Sequence, residues 1–385
     1  MNRLTRVLQN NAIFYGSLIF IASALSVWIY FFAPVRGSFS TTYNDYLIFK
    51  QSFYHLIKHT DLYASYPSEY NDLYKYSPTF ALLMAPFAIL PNAAGVILWN
   101  ILNLLVVYYS FKNFVFYNET KKLLAMAFVL AEALTSIYSS QCNCLITGLL
   151  IIAFECLENK KPVTATLLLA ISVFIKPFAL AAFLLLLLYP GKPKAFIFSI
   201  IWSILLFALP LLVISPAGLI GEYKSWFLLL KGDHDNSMGY SVMGTLQYWF
   251  GSTDKIYTLL IGMLLLLLPL TRYKSFISQS FRRIFFASIL IWVVIFNHKA
   301  ETYTYIIAIS GIAIWYFSQP DKKLNLLLLM LALFFTILVP TSIFPWTYHN
   351  KYLSPYLMFV IPSLLIWLKI SAELLFTNFN LKKLN

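Results

Sequence analysis

Acidic side chains are scarce in this chain: Asp and Glu number 15 in 385 residues, and charged residues of both signs make up only 11%. Hydrophobic residues reach 60% and the mean hydropathy is +0.74, which excludes an ordinary soluble globular domain. Cysteine is equally sparse at three, too few for a disulfide framework. Cys142 and Cys144 are also too close along the chain for an unstrained bridge, and all three are expected as small core residues. Tandem repeats, low-complexity tracts and a phosphate-cradling glycine loop are missing as well. The 28 basic residues give a net charge of +13, but they stand in short clusters between apolar runs. That is a membrane-topology pattern, and it argues against a nucleic-acid partner.

What is present is a succession of apolar runs from 12–33 to 354–374, several of them shorter than the roughly 20 residues that cross a bilayer upright. Arg3/Arg6, Lys112/Lys121/Lys122, Lys160/Lys161, Lys192/Lys194, 272–283, Lys322/Lys323 and Lys382/Lys383 separate the runs and mark a cytoplasmic side. The first run resembles a signal peptide, with Ala22-Ser23-Ala24 in the place of a cleavage site. Its apolar continuation to Phe32 predicts instead an uncleaved first membrane helix. The alternation of sides closes if 78–90, bounded by Pro78, Pro86 and Pro91, dips into the membrane before 93–111 crosses it. A helix that does not span is tolerable only against protein or water, so this one is expected to wall a cavity.

The expected fold class is all-α: a polytopic integral membrane protein with about 12 transmembrane helices, a re-entrant or short helix and an interfacial helix. It forms one domain over 1–385, with both termini cytoplasmic and residence in the cell membrane. The opposite face collects a first outer loop (34–77), a second (215–255), Gln141 to Asn143, Lys176, 297–302 and 348–351. The first loop carries four basic and four acidic residues, no basic bias, and so belongs outside. Within it Tyr46, Phe49, Phe53 and Leu56 recur at helical spacing, with Lys50, His55 and Lys58 on other faces, as in a helix lying along the interface.

The residues suited to chemistry lie on that outer face. Asp45, in Tyr43-Asn44-Asp45-Tyr46, either caps the interfacial helix or acts as a general base at the membrane surface. Asp61 is a reserve candidate, although Asp61-Leu62-Tyr63 also reads as a turn. Lys176 interrupts an apolar stretch before Pro177, either snorkelling or neutralising a phosphate. Lys75 has the same two readings, solvation or phosphate binding. His298 is a polar helix end or a group that protonates or orients a substrate. Gln141 and Asn143 suit either helix capping or sugar hydroxyls, and Tyr46 and Tyr76 stand beside them as sugar or acceptor contacts. Asp233-His234-Asp235-Asn236 is a consecutive run without helical spacing, so no metal is expected, nor any cofactor.

Leu73-Tyr74-Lys75-Tyr76-Ser77-Pro78-Thr79-Phe80, Met84-Ala85-Pro86 and Leu90-Pro91 follow Asn44-Asp45-Tyr46 and Asp61-Leu62-Tyr63 in order. Leu98-Trp99-Asn100, Ser140-Gln141-Cys142-Asn143 and Phe174-Ile175-Lys176-Pro177 come after them. In this order the chain resembles glycosyltransferase family 87 of the GT-C superfamily, best over its first half. The second half matches in its membrane pattern and in Asn297-His298-Lys299.

The resemblance implies a mannosyltransferase-like enzyme. It would draw on a polyprenyl-phosphate sugar donor and deliver the sugar to a glycolipid or glycan acceptor, among membrane lipid and without nucleic acid. It places the catalytic base early in the first outer loop, at Asp45, and a functional histidine near His298. The chemistry implied is inverting: Asp45 takes the acceptor proton while the lipid phosphate departs. A lipid-linked donor needs no Rossmann or phosphate loop. Two other readings stay open on the residues alone. A transporter or flippase of a lipid-linked saccharide would suit broken helices and an intramembrane lysine, though it usually shows repeat-related halves. An O-antigen-type polymerase or ligase would favour arginines in a long outer loop.

Overall fold

A computed structural model describes residues 10–33, 41–339 and 358–379, without the side chains of 233–236. Arg3, Arg6, Arg36, the 348–351 turn, Lys382 and Lys383 lie outside the described residues, as do the side chains of Asp233, His234, Asp235 and Asn236.

Every regular element among the described residues is helical. Among the described residues three helices are long and apolar enough to cross a membrane: α1 (Asn11–Phe31), α5 (Asn92–Asn113) and the stretch Lys192–Leu212, whose α-helical part is α9 (Lys192–Ala208). Several of the shorter ones are cut by prolines. The residue before a proline is pushed out of the helical region of φ/ψ, and Lys176, ahead of Pro177, accordingly adopts φ −136°, ψ 119°. It ends α8 (Pro162–Ile175) and opens a 3₁₀ segment, Pro177–Leu188. At a rise of about 2 Å per residue, such a segment covers more depth than an α-helix of equal length.

The expected dip is a broken pair, α3 (Pro78–Leu83) and α4 (Ala85–Ala88), joined at Met84. Phe80, Ala81, Met84 and Ala88 are all buried in protein. The 44–57 helix, α2 (Asn44–Ile57), differs from expectation. It does not lie on one apolar face: Asn44, Ser52 and His55 are buried together with Tyr46, Leu47, Ile48, Phe49 and Leu56. The reason is tertiary. Lys50 Nζ donates to Leu90 O at 2.7 Å and Asn92 Oδ1 at 2.8 Å, and His55 Nε2 pairs with Glu69 Oε2 at 2.9 Å. Lys50 Nζ and His55 Nε2 are thus satisfied by neighbouring segments.

The centre is formed by α13 (Gln279–Ile295) and α14 (Tyr305–Phe317), whose residues are apolar around nearly the whole circumference and buried accordingly. Around this pair α5 packs on α1 and α7 (Asn143–Glu158), α7 on α8, and α6 (Glu119–Tyr138) on α14. Outward, Phe196, Ile197, Ile200, Ile204 and Leu205 of α9 remain exposed, an apolar face suited to lipid. At the end rich in lysine and arginine, Arg282 grips Glu158 with two bonds of 2.6 and 2.7 Å, tying α13 to α7. Cys142 and Cys144 are buried core residues, whereas Cys156, near the end of α7, is partly exposed.

Gly95 of α5 is required by a close approach. A Cβ there would collide with the Tyr46 phenol and lie 2.9 Å from Phe87 O, to which Tyr46 donates at 2.9 Å. Gly95→Ala gains helix propensity of about 1 kcal/mol but breaks that bond and overpacks the site. The net expectation is a loss of about 2 kcal/mol, read as a fall of several degrees in the melting temperature of the purified protein. An unchanged or higher melting temperature would show that the phenol has room to move.

Candidate active site

The polar residues at the end of the molecule opposite Arg282 converge on a cavity of about 480 Å³, lined by Lys75, Tyr76, Lys176, Trp292, His298 and Glu301 among others. Local rules put each side chain there. Ser77 caps α3, accepting from Phe80 N at 3.2 Å, and its hydroxyl donates to Phe174 O. That bond fixes the strand of chain carrying Lys75 and Tyr76 against the end of α8, where Pro177 has turned Lys176 outward.

Behind the lining stands the 140–143 turn. Ser140 has positive φ, 51°, and its carbonyl accepts from Trp99 Nε1 at 2.8 Å. Asn143 Oδ1 receives Lys176 Nζ at 2.9 Å while its Nδ2 donates to Tyr303 O at 3.1 Å. Gln141 Oε1 accepts from the Tyr76 hydroxyl at 3.3 Å. Lys176 Nζ lies 5.6 Å from the centre of the Tyr76 ring. Gln141 and Asn143 are buried, so they orient Lys176 and Tyr76 and contribute little of the wall.

Asp45 reaches this network from α2. The helix begins at Asn44, its N-cap position is Tyr43, and no side chain caps it, so Asp45 lies in the first turn and is not the cap. Asn44 is engaged elsewhere, exchanging hydrogen bonds with the backbone of Asn71 at 2.9 and 2.8 Å. The Asp45 carboxyl is partly buried beside Gln141, outside the cavity lining itself. Burial pushes its pKa up to about 7, and the Glu301 and Asp72 carboxylates add to the rise. A hydrogen bond from Gln141 and the charge of Lys176 oppose it. Glu301 is raised too, by its protein surroundings first, with Lys176 and Lys75 working against the rise. Glu301 is exposed and lines the cavity. Lys176 therefore acts on both carboxylates, and the Glu301 charge makes Asp45 easier to protonate.

The remaining candidates separate. Lys75 lines the cavity and pairs with Asp72 at 2.8 Å. His298 lines it as well; its carbonyl accepts from Ser237 Oγ at 2.9 Å, and Gly239, at φ +55°, approaches so closely that a Cβ would lie 2.6 Å from that oxygen. Tyr46 is fully buried under α4 and α5 and is not brought to the cavity. Asp61 accepts from Tyr63 N at 2.9 Å, the geometry of a turn.

Sequence reasoning passed over Glu301 and Trp292. Glu301 stood next to His298 in an acid-poor chain, the same signal that singled out Asp45. Trp292 reads only as part of a membrane run; the residue lines the cavity, and its buried Nε1 has no partner among the described residues. Taken together, the site offers a carboxylate poised near neutral pH, a fixed ammonium, aromatic walls and an opening beside apolar surface. That combination suits removal of a hydroxyl proton next to a bound anion carrying an apolar tail.

A search among curated proteins finds no match. The sequence profile of glycosyltransferase family 87 matches residues 74–341, more than two-thirds of the chain. The matched segment contains Lys75, Tyr76, Gln141, Asn143, Lys176, Trp292, His298 and Glu301, while Asp45 and Tyr46 precede it. The transferase reading is thereby selected over the transporter and polymerase readings, and this chain belongs to glycosyltransferase family 87, a family of membrane glycosyltransferases.

Proposed function

We propose that the protein transfers a sugar, mannose by family likeness, from a polyprenyl-phosphate donor to a glycolipid or glycan acceptor at the extracytoplasmic face of the cell membrane. The chain would be multi-pass, one GT-C-type domain with about 12 crossings and both termini cytoplasmic, since its basic clusters gather at the end away from the cavity. The observation that carries the proposal is the linkage of Asp45, through Gln141, Tyr76 and Asn143, to Lys176 at the cavity wall.

In this reading the acceptor hydroxyl gives its proton to the Asp45 carboxylate as its oxygen bonds to the anomeric carbon. The bond from that carbon to the phosphate oxygen breaks, and its electron pair leaves with the lipid phosphate. Lys176 offsets the growing charge, with Lys75 at the rim and His298 positioned to hydrogen-bond the departing group. Attack from the face opposite the leaving group inverts the anomeric centre. Trp292, Phe296 and Phe178 supply apolar wall for the first part of the lipid chain. No metal or cofactor enters these steps.

The test supplies membranes containing the protein with radiolabelled polyprenyl-phosphate mannose, and in parallel with a labelled sugar nucleotide. Label should pass to an endogenous or added acceptor only from the lipid donor, and the product should carry the anomeric configuration opposite to the donor's. Transfer from the nucleotide in extracted, lipid-donor-free membranes, or a product of retained configuration, would refute the mechanism.

A further inference from the structure

At the other end of α13 from the candidate active site, about 20 Å away along the helix, lies a second cavity of about 180 Å³. Ser280, Arg283, Ser318, Gln319, Lys322 and Glu373 line it. Arg283 is 4% exposed, yet its Nε finds no partner among the described residues, and the same holds for the Ser318 hydroxyl. Its guanidinium carbon lies over the Phe114 ring, 5.7 Å from the ring centre, and the residue lines the cavity.

An arginine does not escape burial by losing its proton, so a buried guanidinium without a hydrogen-bonding acceptor is costly. Glu155 and Glu158 act on it only through space, and Glu158 is already held by Arg282. The cavity's own carboxylate, Glu373, is turned to other groups: its Oε2 accepts from Trp315 Nε1 at 2.7 Å, and its Oε1 lies 3.0 Å from Lys369 Nζ while accepting no hydrogen bond among the described residues. Arg283 Nε and the Ser318 hydroxyl thus keep open hydrogen-bonding capacity among the described residues, beside Lys322, in a cavity small enough for a compact anion.

We infer that this cavity binds a phosphate group, carried by an anionic phospholipid headgroup or free in solution. Arginine matches the paired oxygens of a phosphate, and Lys322, exposed at the edge, adds a point charge. The volume admits a phosphate or a phosphodiester and excludes a glycan. Its position favours the lipid source, because basic pockets between helices at the basic end of a membrane protein meet headgroups there. The site is separate from the sugar-transfer cavity and shares no lining residue with it.

The full-length protein would be placed in nanodiscs of phosphatidylcholine alone or of phosphatidylcholine and phosphatidylglycerol in equal parts, and its melting temperature recorded. A further arm adds inorganic phosphate to the phosphatidylcholine discs. Phosphatidylglycerol should raise the melting temperature by several degrees. Arg283→Gln and Lys322→Gln should each at least halve that shift, and Lys323→Gln, whose exposed side chain lies outside the cavity lining, should leave it intact. A shift with inorganic phosphate alone that the same two variants reduce supports the site and names free phosphate as its source. If Arg283→Gln does not fold, Lys322→Gln on the exposed edge carries the comparison. Absence of a shift in both arms, or equal loss in Lys323→Gln and Lys322→Gln, overturns the inference.

Discussion

Asp45→Asn is expected to lower sugar transfer by about 10²- to 10⁴-fold, the span typical of removing a general base, while making the protein more stable above neutral pH. The second half follows from the sign of its pKa shift. The carboxyl titrates near 7 in the folded chain, against 3.8 for an unperturbed aspartate, so between those values the folded state holds a proton that the unfolded state has lost. Stability at this site is therefore full below about pH 4 and declines as pH rises through the window to 7. The complete shift is equivalent to about 4 kcal/mol as a ceiling; partial exposure of Asp45 reduces the expected gain to about 1–2 kcal/mol.

The amide does not ionise and is free of this penalty. At pH 8 Asp45→Asn should melt several degrees above the wild type, and at pH 4.5 the difference should shrink. A helix cap would behave in the opposite way, losing stability on substitution. Wild-type transfer should rise with pH around an apparent midpoint near 7, a property of the Asp45 and Glu301 pair. Glu301→Gln should move that midpoint down, because the Glu301 charge helps to hold it up. Full transfer by Asp45→Asn would end the base assignment, whatever its stability.

Lys176→Met is expected to cut kcat/KM for the lipid donor by about 10²- to 10³-fold, as for removal of a preorganised group facing developing charge. Methionine keeps much of the apolar stem, so packing loss is small. Lys176→Arg should recover part of the activity: the charge returns, but the planar fork does not reproduce the bond to Asn143 Oδ1. A second readout separates this role from snorkelling. Since the Lys176 charge lowers the pKa of Asp45, its removal should shift the pH midpoint of the residual transfer upward. Unchanged kcat/KM together with an unchanged pH profile would reduce Lys176 to a membrane-edge lysine.

Local features of the fold were readable where a single residue governs the backbone. Pro177 dictates the break that exposes Lys176, Pro78 and Pro86 shorten the segment behind the cavity, and Ser77 caps it. The α2 helix shows the limit of such reading. Its apolar spacing was visible, but periodicity does not tell whether the other faces meet water, headgroup or protein. Here protein meets them, through the partners of Lys50 and His55. Tyr46 shows the same limit: whether a tyrosine lines a cavity or packs beneath one depends on partners such as Gly95, which is remote in the chain.

By itself, the sequence determined that the chain is helical and built for a membrane, where its helices break, and which scarce polar groups exist to do chemistry. Those are consequences of composition and of neighbouring residues acting on φ and ψ. Only the tertiary structure decided that Asp45 of α2, the 140–143 turn, Lys176 and Glu301 meet, and that Tyr46 and Asp61 do not join them. It also left Arg283 lining a second cavity with its Nε unpartnered among the described residues. Such convergence is set by many weak packing contacts between distant segments, and it decides the electrostatics: the pKa of Asp45 near 7 arises from burial and from charges on three other segments, none of them adjacent to it in the chain.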